Sequence, residues 1–121
     1  MNPADLFAHE ENPVNLAAGE TLFHAGDAAD SMFILLEGSL RILVGDKLVE
    51  NSERGAIVGE MALVDNSARG ATVVATAPSK LAKVDQHRFQ RLIQQNPFFA
   101  THVMKVLVDR IRSMNRLLTG N

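Results

Sequence analysis

Val58-Gly59-Glu60-Met61-Ala62-Leu63-Val64-Asp65-Asn66-Ser67-Ala68-Arg69-Gly70-Ala71-Thr72-Val73 is the stretch on which the rest of the chain is read. A strand ends at Val58, and Gly59 lets the backbone turn sharply. A short helical turn over Glu60 to Leu63 follows. The amides that open such a turn lack partners within it and carry partial positive charge, which makes an anion site. Nine residues after Glu60 comes Arg69, set between Ala68 and Gly70. Small neighbours let a ligand approach the backbone, and a guanidinium can grip two phosphate oxygens at once. Glu60 would repel a phosphate; it makes sense if it turns aside to accept a hydrogen bond from a hydroxyl. Each residue alone has a plain structural reading: a turn glycine, an acid complementing a helix start and a surface arginine. Their joint spacing favours a ligand carrying both a phosphate and a hydroxyl.

Upstream, seven of the eight glycines fall within residues 19–70. Between them lie short β-forming segments: Thr21 to Phe23, Met32 to Glu37, Leu40 to Val44 and Lys47 to Glu50. Leu40, Ile42 and Val44 alternate with Ser39, Arg41 and Leu43, the period of a half-buried strand. Gly45-Asp46 is a hairpin turn between two such runs. Two further strands, Ala71 to Thr76 and Lys80 to Val84, come after the decisive stretch. Short strands with glycine punctuation predict an antiparallel β-roll of the jelly-roll or double-stranded β-helix kind.

Downstream, the apolar period becomes helical. Asp85 can cap a helix running to about Gln95, Asn96-Pro97 breaks it, and a second helix runs from about Pro97 to Leu118. A short helix opens the chain around Pro3 to Glu10. The fold class is therefore mainly β with flanking helices: one roll, a short N-terminal helix and two C-terminal helices, in a single domain over 1–121. On a helical wheel Phe99, Val103, Val106, Leu107, Ile111, Met114, Leu117 and Leu118 form an apolar arc. Arg110 lies inside that arc. Either it snorkels to water or pairs with an acid of the roll, or it reaches a bound ligand.

Composition narrows the function classes. Apolar residues make 46% of the 121 and charged residues 21%, the balance of a globular protein. The sequence has no cysteine, which excludes thiolate metal sites and disulfides. Residues 1–20 do not read as a signal peptide, and the longest apolar run, Met32 to Leu36, is far too short to span a bilayer. The expected location is cytoplasmic. The net charge of −2 is uneven, with 4 basic against 12 acidic side chains in residues 1–78 and 8 against 2 in residues 79–121. Basic helices beside an acidic body account for this without nucleic acid. His9, His24, His87 and His102 are dispersed and lack metal-ligand spacing. A cupin-type metal enzyme is the alternative from another class, and a ligand-free interaction or dimerisation module is a third.

Gly59-Glu60-Met61-Ala62-Leu63 followed by Ala68-Arg69-Gly70-Ala71-Thr72-Val73 closely resembles the phosphate-binding cassette of cyclic nucleotide-binding domains. These occur in bacterial catabolite activators, cyclic-nucleotide-gated channels and kinase regulatory subunits. Phe23-His24-Ala25-Gly26-Asp27 and Met32 to Gly38 resemble the family's two glycine turns. The resemblance implies that Arg69 pairs with the cyclic phosphate and Glu60 binds the ribose 2′-hydroxyl. Amides near Ala62 and Gly70 would complete a cradle made of Gly59, Glu60, Met61, Ala62, Arg69, Gly70 and Ala71. Many relatives have proline where this chain has Ala68, so some preorganisation of the loop is lost. Gly70 replaces the hydroxyl residue common in cyclic GMP binders, which favours cyclic AMP over cyclic GMP. Ile42, Val49 and Ile57 are expected against the base, though they are equally core positions. Related domains close the last helix over the base, which would make Arg110 part of a lid. On this reading the chain is a non-catalytic sensor without cofactor or metal. It takes no nucleic acid and no membrane, passes its output to a separate effector protein, and its last helix has room for a homodimer seam.

Overall fold

The strands of the roll alternate between two sheets as the chain proceeds, except where Gly45-Asp46 joins a hairpin. The computed structural model describes residues 2–119, leaving aside the side chains of Leu117 and Thr119. One antiparallel sheet contains β1 (Val14–Leu16), β8 (Ser79–Asp85), β3 (Ser31–Glu37) and β6 (Ile57–Val58), in the order β1-β8-β3-β6. The other contains β2 (Thr21–Phe23), β7 (Thr72–Ala75), β4 (Leu40–Val44) and β5 (Lys47–Ser52), in the order β2-β7-β4-β5. A 3-10 helix, Pro3–Phe7, precedes them; α1 (Met61–Asp65) follows β6, and α2 (Gln86–Gln95) and α3 (Pro97–Thr119) follow β8.

Two apolar layers result. Phe33, Leu35 and Leu81 of the first sheet face Phe23, Leu40, Ile42 and Val73 of the second, inside the roll. Met32, Ile34, Ile57 and Val84 point the other way, against Phe7, Phe99 and Val103. The run Met32 to Leu35 is unbroken because β3 is covered on both faces, so side chains of either parity are buried. Each such side chain contributes about 1.5–3 kcal/mol on burial.

Asp85 caps α2 as its sequence position predicts, its Oδ1 accepting from the Arg88 N–H at 2.8 Å. Three expectations change. The opening helix is 3-10 and ends at Phe7, before Glu10. Strand β1 was not expected; its three residues are too few to show a period and owe their form to pairing with Ser79 to Leu81. On α3, Phe99 and Val103 are buried and Val106 and Leu107 partly so, but Ile111 and Leu118 are 55% and 82% exposed. The apolar arc thus outruns the surface that covers it. Met114 is 38% exposed, and the Leu117 side chain lies outside the described residues.

Candidate functional site

Gly59, at φ +76°, makes the turn after β6. A Cβ there would lie 2.4 Å from Arg69 Nη1, so the left-handed backbone favours glycine and a larger residue would push that guanidinium aside. Arg69 is fixed from its own main chain: its N–H donates to Asp27 O at 2.9 Å and its carbonyl accepts from the Gly26 N–H at 2.7 Å. This ties the loop before β7 to the glycine turn after β2. The side chain then folds inward over the Phe23 ring, 4.2 Å from its centroid, and Nη1 donates to Gly59 O at 3.2 Å.

Arg69 is only 8% exposed, yet its Nε is buried without a hydrogen-bond partner. Among the described residues it makes no ion pair. Burial pushes its pKa down, against the pull of the Asp30, Asp27 and Glu60 carboxylates. A guanidinium offers five N–H donors and stays protonated. Here a largely buried cation makes one side-chain hydrogen bond, to Gly59 O, and its buried Nε has none, which is costly unless an acceptor such as an anion completes it.

A second, partly buried arginine shows the contrast. Arg110 reaches from α3 and is held by four acceptors. Its Nη1 donates to Glu60 Oε1, its Nη2 to Ile57 O at 2.5 Å, and its Nε and Nη2 to the two oxygens of Glu50 at 3.4 Å. Burial alone would depress its pKa, but Glu60 and Glu50 hold it above the ordinary value. Glu60 sits at the start of α1 with helical backbone angles and makes no capping bond; its side chain, 2% exposed, turns to Arg110 instead.

These groups border one cavity of about 250 Å³, near the lower end of small-molecule pockets. Its walls are the cassette residues Gly59 to Ala62 and Ser67 to Ala71, roll residues including Phe23, Ile42, Val49, Glu50, Val58 and Val73, and Arg110 and Met114 of α3. The site is mainly apolar, with two guanidiniums, Arg69 and Arg110, and two carboxylates, Glu50 and Glu60, at its walls.

The family model of the cyclic nucleotide-binding domain matches residues 13–96. The chain belongs to that family. The domain is similar to lysophospholipase nte1 of Neosartorya fischeri, at 34% identity over 113 residues, covering 89% of this chain and 7% of the relative. It is also similar to the cAMP-activated global transcriptional regulator CRP of Pasteurella multocida, at 30% identity over 106 residues, covering 83% of this chain and 51% of the relative. Its fold is that of the Thermus thermophilus catabolite activator protein, with a TM-score of 0.78 at 22% identity over 94% of this chain and 61% of that one. The domain thus spans about half the length of the regulator and a small part of the lysophospholipase.

All seven cassette positions of this cyclic nucleotide-binding domain, Gly59, Glu60, Met61, Ala62, Arg69, Gly70 and Ala71, border the cavity. Ile42 and Val49 do too, but Ile57 does not. Side chains alternate along β6, so Val58 faces the cavity while Ile57 packs with Met32, Ile34 and Phe99 under the helices. Of the two readings of Arg110, the structure displays pairing with acids of the roll. Sequence reasoning missed Glu50. Strand pairing shifts by one between Ile42↔Glu50 and Leu43↔Leu48, so simple alternation cannot place it. Among the described residues no three His, Asp or Glu side chains come together as a metal site, and no helix is long and apolar enough to cross a membrane.

Proposed function

We propose that this domain binds cyclic AMP as a sensor, and that α3 is the lid through which occupancy is read. The observation that carries the proposal is Arg69, buried at one wall of the cavity with its Nε unpartnered. A cyclic phosphate presents two exocyclic oxygens with one negative charge, matching two adjacent guanidinium N–H groups.

Glu60 supplies the second point of recognition. Its Oε1 takes Arg110, and none of the hydrogen bonds among the described residues uses its Oε2. A ribose 2′-hydroxyl can donate there while Arg110 keeps the other oxygen. One carboxylate would then hold both sugar and lid, so ligand and lid position are linked through a shared group. The lid responds to the extent that the nucleotide binds its two positions with different affinity. The base would rest against the apolar side chains of Ile42, Val49, Val58 and Met114, which the cavity gathers. Gly70 offers no side-chain donor to a guanine, which supports cyclic AMP, as does the name of the Pasteurella relative.

Isothermal titration with cyclic AMP and cyclic GMP, beside thermal unfolding, tests this. Cyclic AMP is expected to bind the tighter and, at a hundredfold excess over Kd, to add about 2.7 kcal/mol of stability. Silence from both nucleotides, in heat and in Tm, would overturn the sensor reading; tighter cyclic GMP binding would overturn the base assignment.

A further inference from the structure

We infer that Glu50 is a positioning residue: it orients Arg110 and so biases α3 toward its place over the cavity, a bias to which nucleotide adds. The inference deepens the sensor reading and rests on it for its ligand arm. It begins in the strand register. Ile42 pairs with Glu50 but Leu43 pairs with Leu48, which leaves Val49 as an extra residue. In a regular strand Val49 and Glu50 would face opposite sides. The bulge brings both to the cavity wall.

Glu50 is itself held. The Ser52 hydroxyl, buried two residues on along the same strand, donates to Glu50 Oε2 at 2.9 Å. The carboxylate then faces the Nε–Nη2 edge of Arg110, one oxygen to each nitrogen at 3.4 Å. Glu60 engages a different nitrogen, Nη1. The two acids therefore do not compete for the same donor. When a sugar hydroxyl draws on Glu60, Arg110 still has a partner on the roll, and α3 stays anchored. Glu50 is 36% exposed on its side chain and Glu60 2%. That difference fits a division of labour, in which the buried acid meets the ligand and the rim acid serves the lid.

Backbone hydrogen exchange along α3 and the dissociation rate of cyclic AMP test the proposal. Glu50→Gln should speed exchange around Arg110 in the free protein and raise the dissociation rate about three- to fivefold, the worth of a partly exposed ion pair. Ser52→Ala should move both readouts the same way by less. In an Arg110→Met background, Glu50→Gln should add nothing, because its effect passes through that guanidinium; a merely structural role for Glu50 would persist there. Arg69→Met should lose nucleotide affinity while leaving α3 exchange in the free protein at the wild-type rate. Wild-type exchange in Glu50→Gln, or an equal effect of Glu50→Gln without Arg110, overturns the inference. Should wild-type protein bind neither nucleotide, the sensor reading fails alone, and the exchange arms still decide the role of Glu50.

Discussion

Replacing Arg69 by methionine should separate binding from folding, because the guanidinium has opposite consequences for the two. In the complex the fork would make two charge-assisted hydrogen bonds, each worth about 1.5–3 kcal/mol. Because paired bonds are not additive, a net loss of about 3 kcal/mol is expected, roughly 150-fold in Kd. In the free protein the substitution removes one hydrogen bond to Gly59 O and a cation–ring contact with Phe23. Those are worth about 0.5–2 kcal/mol each. It also removes a buried cation whose Nε has no partner, and the relief offsets about 1–3 kcal/mol. Methionine retains most of the stem. The free variant should therefore unfold within about 1 kcal/mol of wild type, some 4 °C in Tm. At a cyclic AMP concentration of a hundred times the wild-type Kd, wild type gains about 2.7 kcal/mol and the variant about 0.3. Differential scanning calorimetry with and without nucleotide reads both quantities. A variant that loses more than about 3 kcal/mol when free, yet keeps its full ligand-induced shift, would make Arg69 a structural strut and refute the reasoning.

Other substitutions probe the supports of the site. Gly59→Ala forces a Cβ into a left-handed backbone position 2.4 Å from Arg69 Nη1. It should cost about 1–2 kcal/mol in urea unfolding and weaken cyclic AMP about tenfold by displacing the guanidinium. Glu60→Gln leaves Arg110 with Glu50 but without its most buried partner. It should lower the stability of the free protein by about 2–3 kcal/mol as well as weaken nucleotide; loss of affinity alone would mean that the pair contributes nothing to folding. Asp85→Ala removes the α2 cap and should cost about 1 kcal/mol with an unchanged titration isotherm.

Much of this architecture is local in origin and so legible in the chain. Gly45-Asp46 makes the hairpin, Asp85 begins α2, Asn96-Pro97 separates the last two helices, and the strand bounds shift by a residue or two at most. The cassette is legible for the same reason. Gly59, Glu60 and Arg69 are close in sequence, and the turn and short helix between them leave little freedom in where they meet. Strand β1 escaped notice because three residues carry no period, and only β8 beside them makes them a strand.

What the sequence determined alone is the set of parts: a roll of short strands, a glycine turn with a short helix and an arginine after it, and an amphipathic helix whose apolar arc is interrupted by Arg110. Tertiary packing decided which parts meet. Both neighbours Ile57 and Val58 are apolar and buried, and only the two layers on either side of β6 assign one to the helices and the other to the cavity. The bulge that brings Glu50 to Arg110 is a property of two paired strands, and 60 residues of chain separate the partners. Arg69 and Arg110 sit in distinct sequence settings, yet which guanidinium is filled and which is left short of acceptors comes only from what the folded chain places around each. Hydrogen-bond satisfaction and desolvation depend on neighbours in space, and no local pattern encodes those.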